Sequence, residues 1–377
     1  MDIHRSTKSK RPSYLLLDES ERVATLPTNF IQSLERSPRQ RSQATLDLYA
    51  RRLRDFCSFL EDHPVFGQYR VDEAVRALGL PVMDEFYRAC SARGLGASTI
   101  RGYEVLLKQF TDWLSTEESG RVRERALYTN ITYRTPRPQL RMPRYLTLDQ
   151  VIELLKGMHW EAQRLVAHFI YDTGLRASEV PRVLKSDLPV FEHYPSSLMY
   201  FPLFVRGSKA RGKEFKERYT IISRPMLIRI NRYFKSRTYF TNHDWPENEK
   251  PAFLNTYGTA LTTKAIQASI ADALNRTSLK AASAHRLRHG TAYSVMKSGH
   301  GKTLLDNLIV LQRALGHSKL ATTEIYTHIP APVLQQMTEA RGPDEVRYRF
   351  EEAQKIIDAT FLPEKSQRKV IVIGRKK

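Results

Sequence analysis

Pro136, Pro138 and Pro143 crowd the short stretch between Thr135 and Arg144, and no helix or central strand runs through such a spacing. Each proline fixes its own φ and removes a backbone donor, and the residue before it is pushed toward extended backbone. With Arg137 and Arg141 beside them, the stretch suits an extended linker. A chain of 377 residues therefore reads as folded parts on either side of 136–144, within the two or three domains its length suggests.

Before the linker, Leu46, Tyr49, Leu53, Phe56 and Leu60 recur at three and four, which places one side of a helix against a core. The rhythm returns at Ile100, Tyr103, Leu107, Phe110 and Leu114, with Gly94 and Gly96 breaking the chain upstream and Ser98 and Thr99 supplying capping chemistry. These patterns predict a small helical domain over 41–135. Residues 1–40 mix Lys8, Lys10, Arg11, Pro12 and Pro27 with short apolar runs, show no sustained period, and read as an N-terminal extension of uncertain order.

After the linker, Thr147 to Asp149 opens a helix with apolar spacing through Val151, Leu154 and Leu155, and a second helix runs from about Trp160 to Thr173 until Gly174 ends it. Leu198–Phe201 and Tyr219–Ile222 flank a charged, Gly-containing segment from Arg206 to Arg218, the pattern of a β-hairpin. Helical periodicity resumes near Met226 and dominates to about Met337. A second domain over 145–340 follows, mainly α with a small β-sheet (α+β). The tail, 341–377, carries a helix around Val346 to Ala359, a strand-like Val370–Ile373, and the basic residues Lys365, Arg368, Lys369, Arg375, Lys376 and Lys377.

The hydrophobic content of 41% excludes a disordered chain, and a formal net charge of +20 creates a field that attracts polyanions such as nucleic acid. Both cysteines, Cys57 and Cys90, sit in apolar-patterned segments, so a disulfide framework is not expected and a reducing compartment is. The N-terminus lacks an apolar signal core and no stretch approaches ~18 uninterrupted apolar residues. A cytoplasmic, nucleoid-associated protein with no membrane contact is the expectation.

Five scattered pieces carry chemistry: Arg176-Ala-Ser-Glu179, Gly212-Lys213, His285-Arg-Leu-Arg288, Leu315-Gly316-His317, and Tyr326 within Ile325-Tyr326-Thr327-His328. Together they suit transesterification at a phosphodiester. An arginine fork stays charged and donates two parallel hydrogen bonds to non-bridging oxygens, so Arg176 and Arg288 are candidates for the phosphate. A tyrosine hydroxyl, with an intrinsic pKa near ~10, needs a base or a cationic site to become a nucleophile, which His285 or His317 can provide. A departing 5′ oxygen needs a proton, and Lys213, or its neighbour Lys209, could deliver it from a hairpin. Each piece also has a plain structural reading. Arg176 and Glu179 are spaced as an ordinary intrahelical ion pair, Leu315–His317 as a helix-ending turn, and Tyr326 as a packing residue. His285 and His289 are spaced as metal ligands, although His-Arg-Leu-Arg-His lacks the glutamate of a zinc helix and sets two cations beside the ion.

Over about 43–335 the chain resembles the tyrosine recombinases, the phage integrase family that includes Xer-type enzymes. Thr173-Gly-Leu-Arg176-Ala-Ser-Glu179 resembles that family's first arginine box, Gly212-Lys213 through Arg218 its hairpin-lysine segment, His285-Arg-Leu-Arg288-His289-Gly290-Thr291-Ala292 its second box, and Leu315 through His328 its third box with the nucleophile. The resemblance implies a helical SAM-like core-binding domain and a catalytic domain forming a C-shaped DNA clamp. It implies that Arg176 and Arg288 bind the scissile phosphate, Lys213 (alternatively Lys209) protonates the leaving group, His285 and His317 assist, Glu179 supports the site, and Tyr326 forms a 3′-phosphotyrosyl link. No cofactor, ATP or divalent metal is implied. The implied partners are double-stranded DNA recombination sites, further copies of the chain in a tetrameric synapse, and accessory DNA-bending or directionality proteins, in the setting of a mobile element and DNA integration. The stretch Ser298–Thr303 departs from the family as an insertion, and the long tail suits docking on a neighbouring protomer. Two other classes share parts of this pattern: a non-catalytic DNA-binding regulator and a type IB topoisomerase.

Overall fold

In the computed structural model the described residues are 1–6, 13–37, 41–128, 133–138, 144–190, 193–194, 198–207, 210–211, 214–215, 217–240, 244–297 and 348–364. They fall into two compact units, Met1–Leu140 with Ala210–Glu214, and Arg141–Lys209 with Phe215–Lys377. No described helix is long and apolar enough to cross a membrane.

The first unit opens with β1 (Asp2–Ser6) paired antiparallel to β2 (Ser13–Leu17), Asp2 opposite Leu17. Helices α1 (Thr25–Arg36), α2 (Gln43–Glu61), α3 (Val71–Arg76), α4 (Leu80–Ala92) and α5 (Ala97–Trp113) follow. Leu53, Phe56, Leu107 and Phe110, from the two periodic helices of the sequence, meet in one core, and Leu16, Phe30 and Ile31 share it. Residues 2–6 and 13–36 are thus not an extension of uncertain order. Two five-residue strands are too short to display a period, and Pro27 falls in the first turn of α1, where the missing N–H would have no helical partner. Asp72 supplies the cap from α3, accepting from the amides of Thr25 at 2.9 Å and Leu26 at 2.8 Å. Helix α5 starts at Ala97 with Gly96 at its cap position, so Ser98 and Thr99 lie within the helix and do not cap it. Cys57 and Cys90 are free and buried in this core.

Glu104 of α5, fully buried, fastens the chain at the entrance to the proline-rich stretch. It accepts from the amides of Arg134 and Thr135 and from the Thr135 hydroxyl, while Arg101 donates to the Thr135 carbonyl at 2.8 Å.

In the second unit α6 (Leu148–Lys156) begins at Thr147, whose side chain accepts from the Gln150 amide, as the Thr147–Asp149 pattern predicts. Helix α7 (Glu161–Thr173) is buried from Leu165 to its last residue and forms the axis of the unit. Strand β3 (Tyr200–Val205) pairs antiparallel with β6 (Arg218–Ser223); in the sequence between them, β4 (Ala210–Arg211), grouped with the first unit, pairs with β5 (Glu214–Phe215). Helices α8 (Arg224–Phe234), α9 (Thr263–Leu274), α10 (Ala284–Lys297) and α11 (Tyr348–Thr360) follow among the described residues. Phe169 and Ile170 of α7 meet Phe201, Ile222, Ile230, Leu287 and Ile356 in the core. Helical structure is not continuous after Met226. Residues 235–240 and 244–262 form turns and isolated bridges, Leu184 with Pro251 and Leu254 with Ala260.

Helix α11 lies on its own chain, fastened by a buried polar cluster. Arg229 of α8, 1% exposed, forms a fork with Glu161 at 2.7 and 3.0 Å and donates to the Thr360 hydroxyl at 3.2 Å. The Leu362 amide reaches the same carboxylate at 2.9 Å. Strand-like Val370–Ile373 and the Ser298–Thr303 insertion lie outside the described residues.

Candidate active site

Gly174 ends α7 in the left-handed region, φ 67°, a conformation that favours glycine. The chain turns, buries Leu175 and closes a tight loop in which the Glu179 amide donates to the Arg176 carbonyl at 2.8 Å. The Arg176 amide donates back to Glu179 Oε2 at 2.8 Å and Arg176 Nη1 to Oε1 at 2.9 Å. The three-residue spacing of this pair is therefore realised in a turn and not along an α-helix. Gly174 has already stopped α7, and Pro181 lies in the short 3-10 turn Val180–Arg182 that follows.

Glu179 is 1% exposed, and three guanidinium groups converge on it. Arg218, the first residue of β6, donates through Nη1 to Oε1 at 2.8 Å and through Nη2 to Oε2 at 2.9 Å. Arg288 of α10, 2% exposed, lies 4.0 Å from Oε2 and donates to the Gly174 carbonyl at 2.6 Å. Burial pushes the Glu179 carboxyl up. The hydrogen bonds and charge of Arg218, then the amide and charge of Arg176, outweigh it and bring the carboxyl down to about 2. One anion among three cations leaves a positive platform, and the Arg176 side chain, 28% exposed, is its open edge.

The neighbouring elements are pinned to the same end of α7. On α10, Thr291 donates to the Tyr171 carbonyl at 2.6 Å, and Gly290 approaches so closely that an added Cβ would stand 2.6 Å from Tyr171 Cε2. On β6, Thr220 donates to the Thr173 carbonyl at 3.0 Å and the Ser223 amide to Asp172 at 2.9 Å. His285, one turn before Arg288, is exposed, with its ring 4.2 Å from that of His289, edge to face. Desolvation, then the charges of Arg288 and Arg176, hold its pKa below the ordinary imidazole range, so the ring is neutral near pH 7 and able to accept a proton.

Arg176, Glu179 and Arg288 are thus brought together, with His285 on the same helix as Arg288. Lys209, Lys213, His317 and Tyr326 lie outside the described residues, Lys213 in the gap between β4 and β5. Sequence reasoning assigned no role to Arg218. Its signal was a cation standing where the charged hairpin segment meets an apolar strand, but its carboxylate partner sits across the unit.

An α+β unit that gathers arginines on a helix end beside a neutral histidine is built to receive an oxyanion. The phage integrase family model matches residues 144–331. Tyrosine recombinase XerC of Actinobacillus pleuropneumoniae serotype 7 (strain AP76) is 26% identical over 313 residues, covering 82% of this chain and 90% of that protein. Tyrosine recombinase XerD of Mycobacterium tuberculosis (strain ATCC 25618 / H37Rv) is 27% identical over 315 residues, covering 79% and 91%. The fold is shared with the XerH site-specific recombinase in a post-cleavage complex with palindromic difH substrate, at TM-score 0.58 and 20% identity, covering 82% of this chain and 84% of that one. It is shared equally with a lambda integrase dimer bound to a COC′ core site, at TM-score 0.58 and 13% identity, covering 79% and 96%. The chain belongs to the phage integrase family of tyrosine recombinases. Its activity is site-specific DNA recombination, and neither the regulator nor the topoisomerase alternative is favoured.

Proposed function

We propose that the chain cuts and rejoins duplex DNA through Tyr326. The phenolic oxygen attacks the scissile phosphorus, the bond from phosphorus to the 5′ oxygen breaks, and a 3′-phosphotyrosyl ester forms. Arg176 and Arg288 hold the non-bridging oxygens and meet the charge that develops on them. Glu179 supports these two arginines. His285 and His317 assist the phosphate and accept the tyrosine proton, and Lys213, or Lys209 from the same hairpin, donates a proton to the departing 5′ oxygen. The new ester keeps the energy of the old one, so a second strand's 5′ hydroxyl can reverse the step onto a new partner. Recombination sites in double-stranded DNA are the substrate, four copies of the chain form the synapse, and accessory DNA-bending or directionality proteins set the outcome in a cytoplasmic, nucleoid-associated setting. The basic tail, 341–377, is the segment proposed to engage a neighbouring protomer, although its helix α11 is fastened to its own unit here.

The observation that carries this reading is the convergence of Arg176 and Arg288, distant in sequence, on the buried Glu179 at the end of α7. The test incubates wild-type and Tyr326→Phe protein, in EDTA, with nicked duplexes made from DNA flanking its gene, and looks for a detergent-resistant adduct. Wild type should give the adduct and Tyr326→Phe should bind DNA without forming one. An adduct from the phenylalanine variant removes Tyr326 as the nucleophile.

A further inference from the structure

Arg218 is 9% exposed in its side chain, and both of its terminal nitrogens are engaged by the Glu179 oxygens at 2.8 and 2.9 Å. Arg176 reaches the same carboxylate through Nη1 alone among its guanidinium nitrogens, at 2.9 Å, and keeps the more exposed side chain. The two arginines therefore have different work. A bidentate fork fixes the plane of a carboxylate, whereas a single bond leaves a guanidinium free to swing about it. Were Arg218 absent, Glu179 could rotate to take Arg176 as its fork partner, and the donors that Arg176 offers to an oxyanion would be turned inward.

Arg218 also sits at a junction. It begins β6, opposite Val205 at the end of β3, and the hairpin segment holding Lys209 and Lys213 lies between those two residues. Its bond to Glu179 joins the base of that hairpin to the turn that carries Arg176.

Resting on the reading of Arg176 and Arg288 as phosphate-binding residues, we propose that Arg218 is a positioning residue of the recombination reaction. It occupies both oxygens of Glu179 so that Arg176 stays turned toward the scissile phosphate. The charged groups that face Glu179 come from three elements: Arg176 from the turn after α7, Arg218 from β6 and Arg288 from α10, with the titratable His285 one turn from Arg288. Removing Arg218 withdraws the largest influence that opposes burial at Glu179, so the carboxyl titrates higher and is partly protonated in mildly acidic solution.

The experiment measures single-turnover adduct formation on the nicked duplexes described above, from about pH 5.5 to about pH 8.5, for wild type, Arg218→Gln, Arg218→Lys and Tyr326→Phe. Arg218→Gln should bind the duplex as tightly as wild type and form adduct roughly 10-fold to 100-fold more slowly, with the wild-type advantage widening toward acid. Arg218→Lys should fall between the two, because an ammonium keeps the charge and loses the fork. In a Glu179→Gln background, adding Arg218→Gln should cause no further slowing. Equal rates overturn the proposal, and so does a loss that is the same at every pH or is matched by weaker DNA binding. Should Arg218→Gln fail to fold, the Arg218→Lys series decides by the same criterion. If wild type forms no adduct, or Tyr326→Phe still does, the underlying site assignment fails and Arg218 falls with it; a normal wild type with an indifferent Arg218 sinks this proposal alone.

Discussion

At the scale of single residues, the charge on Glu179 is set by a contest between burial and its arginine neighbours that the arginines win. Its carboxyl titrates at about 2 in the folded chain against an ordinary 4.5. A depressed carboxyl binds its proton less readily folded than unfolded. Its contribution is therefore complete above about pH 4.5 and disappears as pH falls through that window toward 2. The shift corresponds to about 3 kcal/mol at ~1.4 kcal/mol per pH unit. Urea titrations of wild type and Glu179→Gln should differ by about that amount near pH 7 and converge as the solution is acidified; a difference indifferent to pH removes the ion-pair account. Arg176, Glu179, His285 and Arg288 were legible in the sequence because their chemistry is carried by residue type and short spacing. Arg218 was not, since a fork made between a strand and a turn distant in the chain leaves no spacing to read.

At the scale of elements, the site depends on how closely α10 approaches α7. The close approach is made at Gly290, where a Cβ would meet Tyr171 at 2.6 and 3.0 Å and the Leu146 carbonyl at 3.1 Å. Gly290→Ala must push α10 outward and with it Arg288, two residues before. We expect a loss of about 1–3 kcal/mol from overpacking, read as a lower midpoint in thermal unfolding, together with slower adduct formation. Unchanged stability would mean that the helices slide without strain. The long amphipathic helices and the β3–β6 hairpin were legible because their periods run long enough to count. The β1–β2 hairpin and α1 were not, because strands of five residues hold too few alternations and Pro27 imitates a break. The turns of 244–262 were hidden by apolar residues such as Phe253 and Leu254, which are buried from irregular backbone and so carry no period of their own.

At the scale of the whole molecule, the boundary near 136–144 has a chemical test. Arg137 and Arg144 are both exposed, but Arg137 precedes Pro138, a bond trypsin cuts poorly. Brief digestion should release a fragment beginning at Tyr145, seen by intact mass; early cuts elsewhere, at sites between helices of one unit, would place the boundary differently. The unit before the boundary closes its core with residues from Tyr14 to Tyr128, and the unit after it with residues from Leu146 to Ile356, and the two clusters have no residue in common. Heat should therefore be absorbed by two cooperative units and not by one. In scanning calorimetry the integrated enthalpy should exceed the van't Hoff value drawn from the sharpness of the transition, and a single melting point will misstate the resilience of the half that holds the arginine cluster.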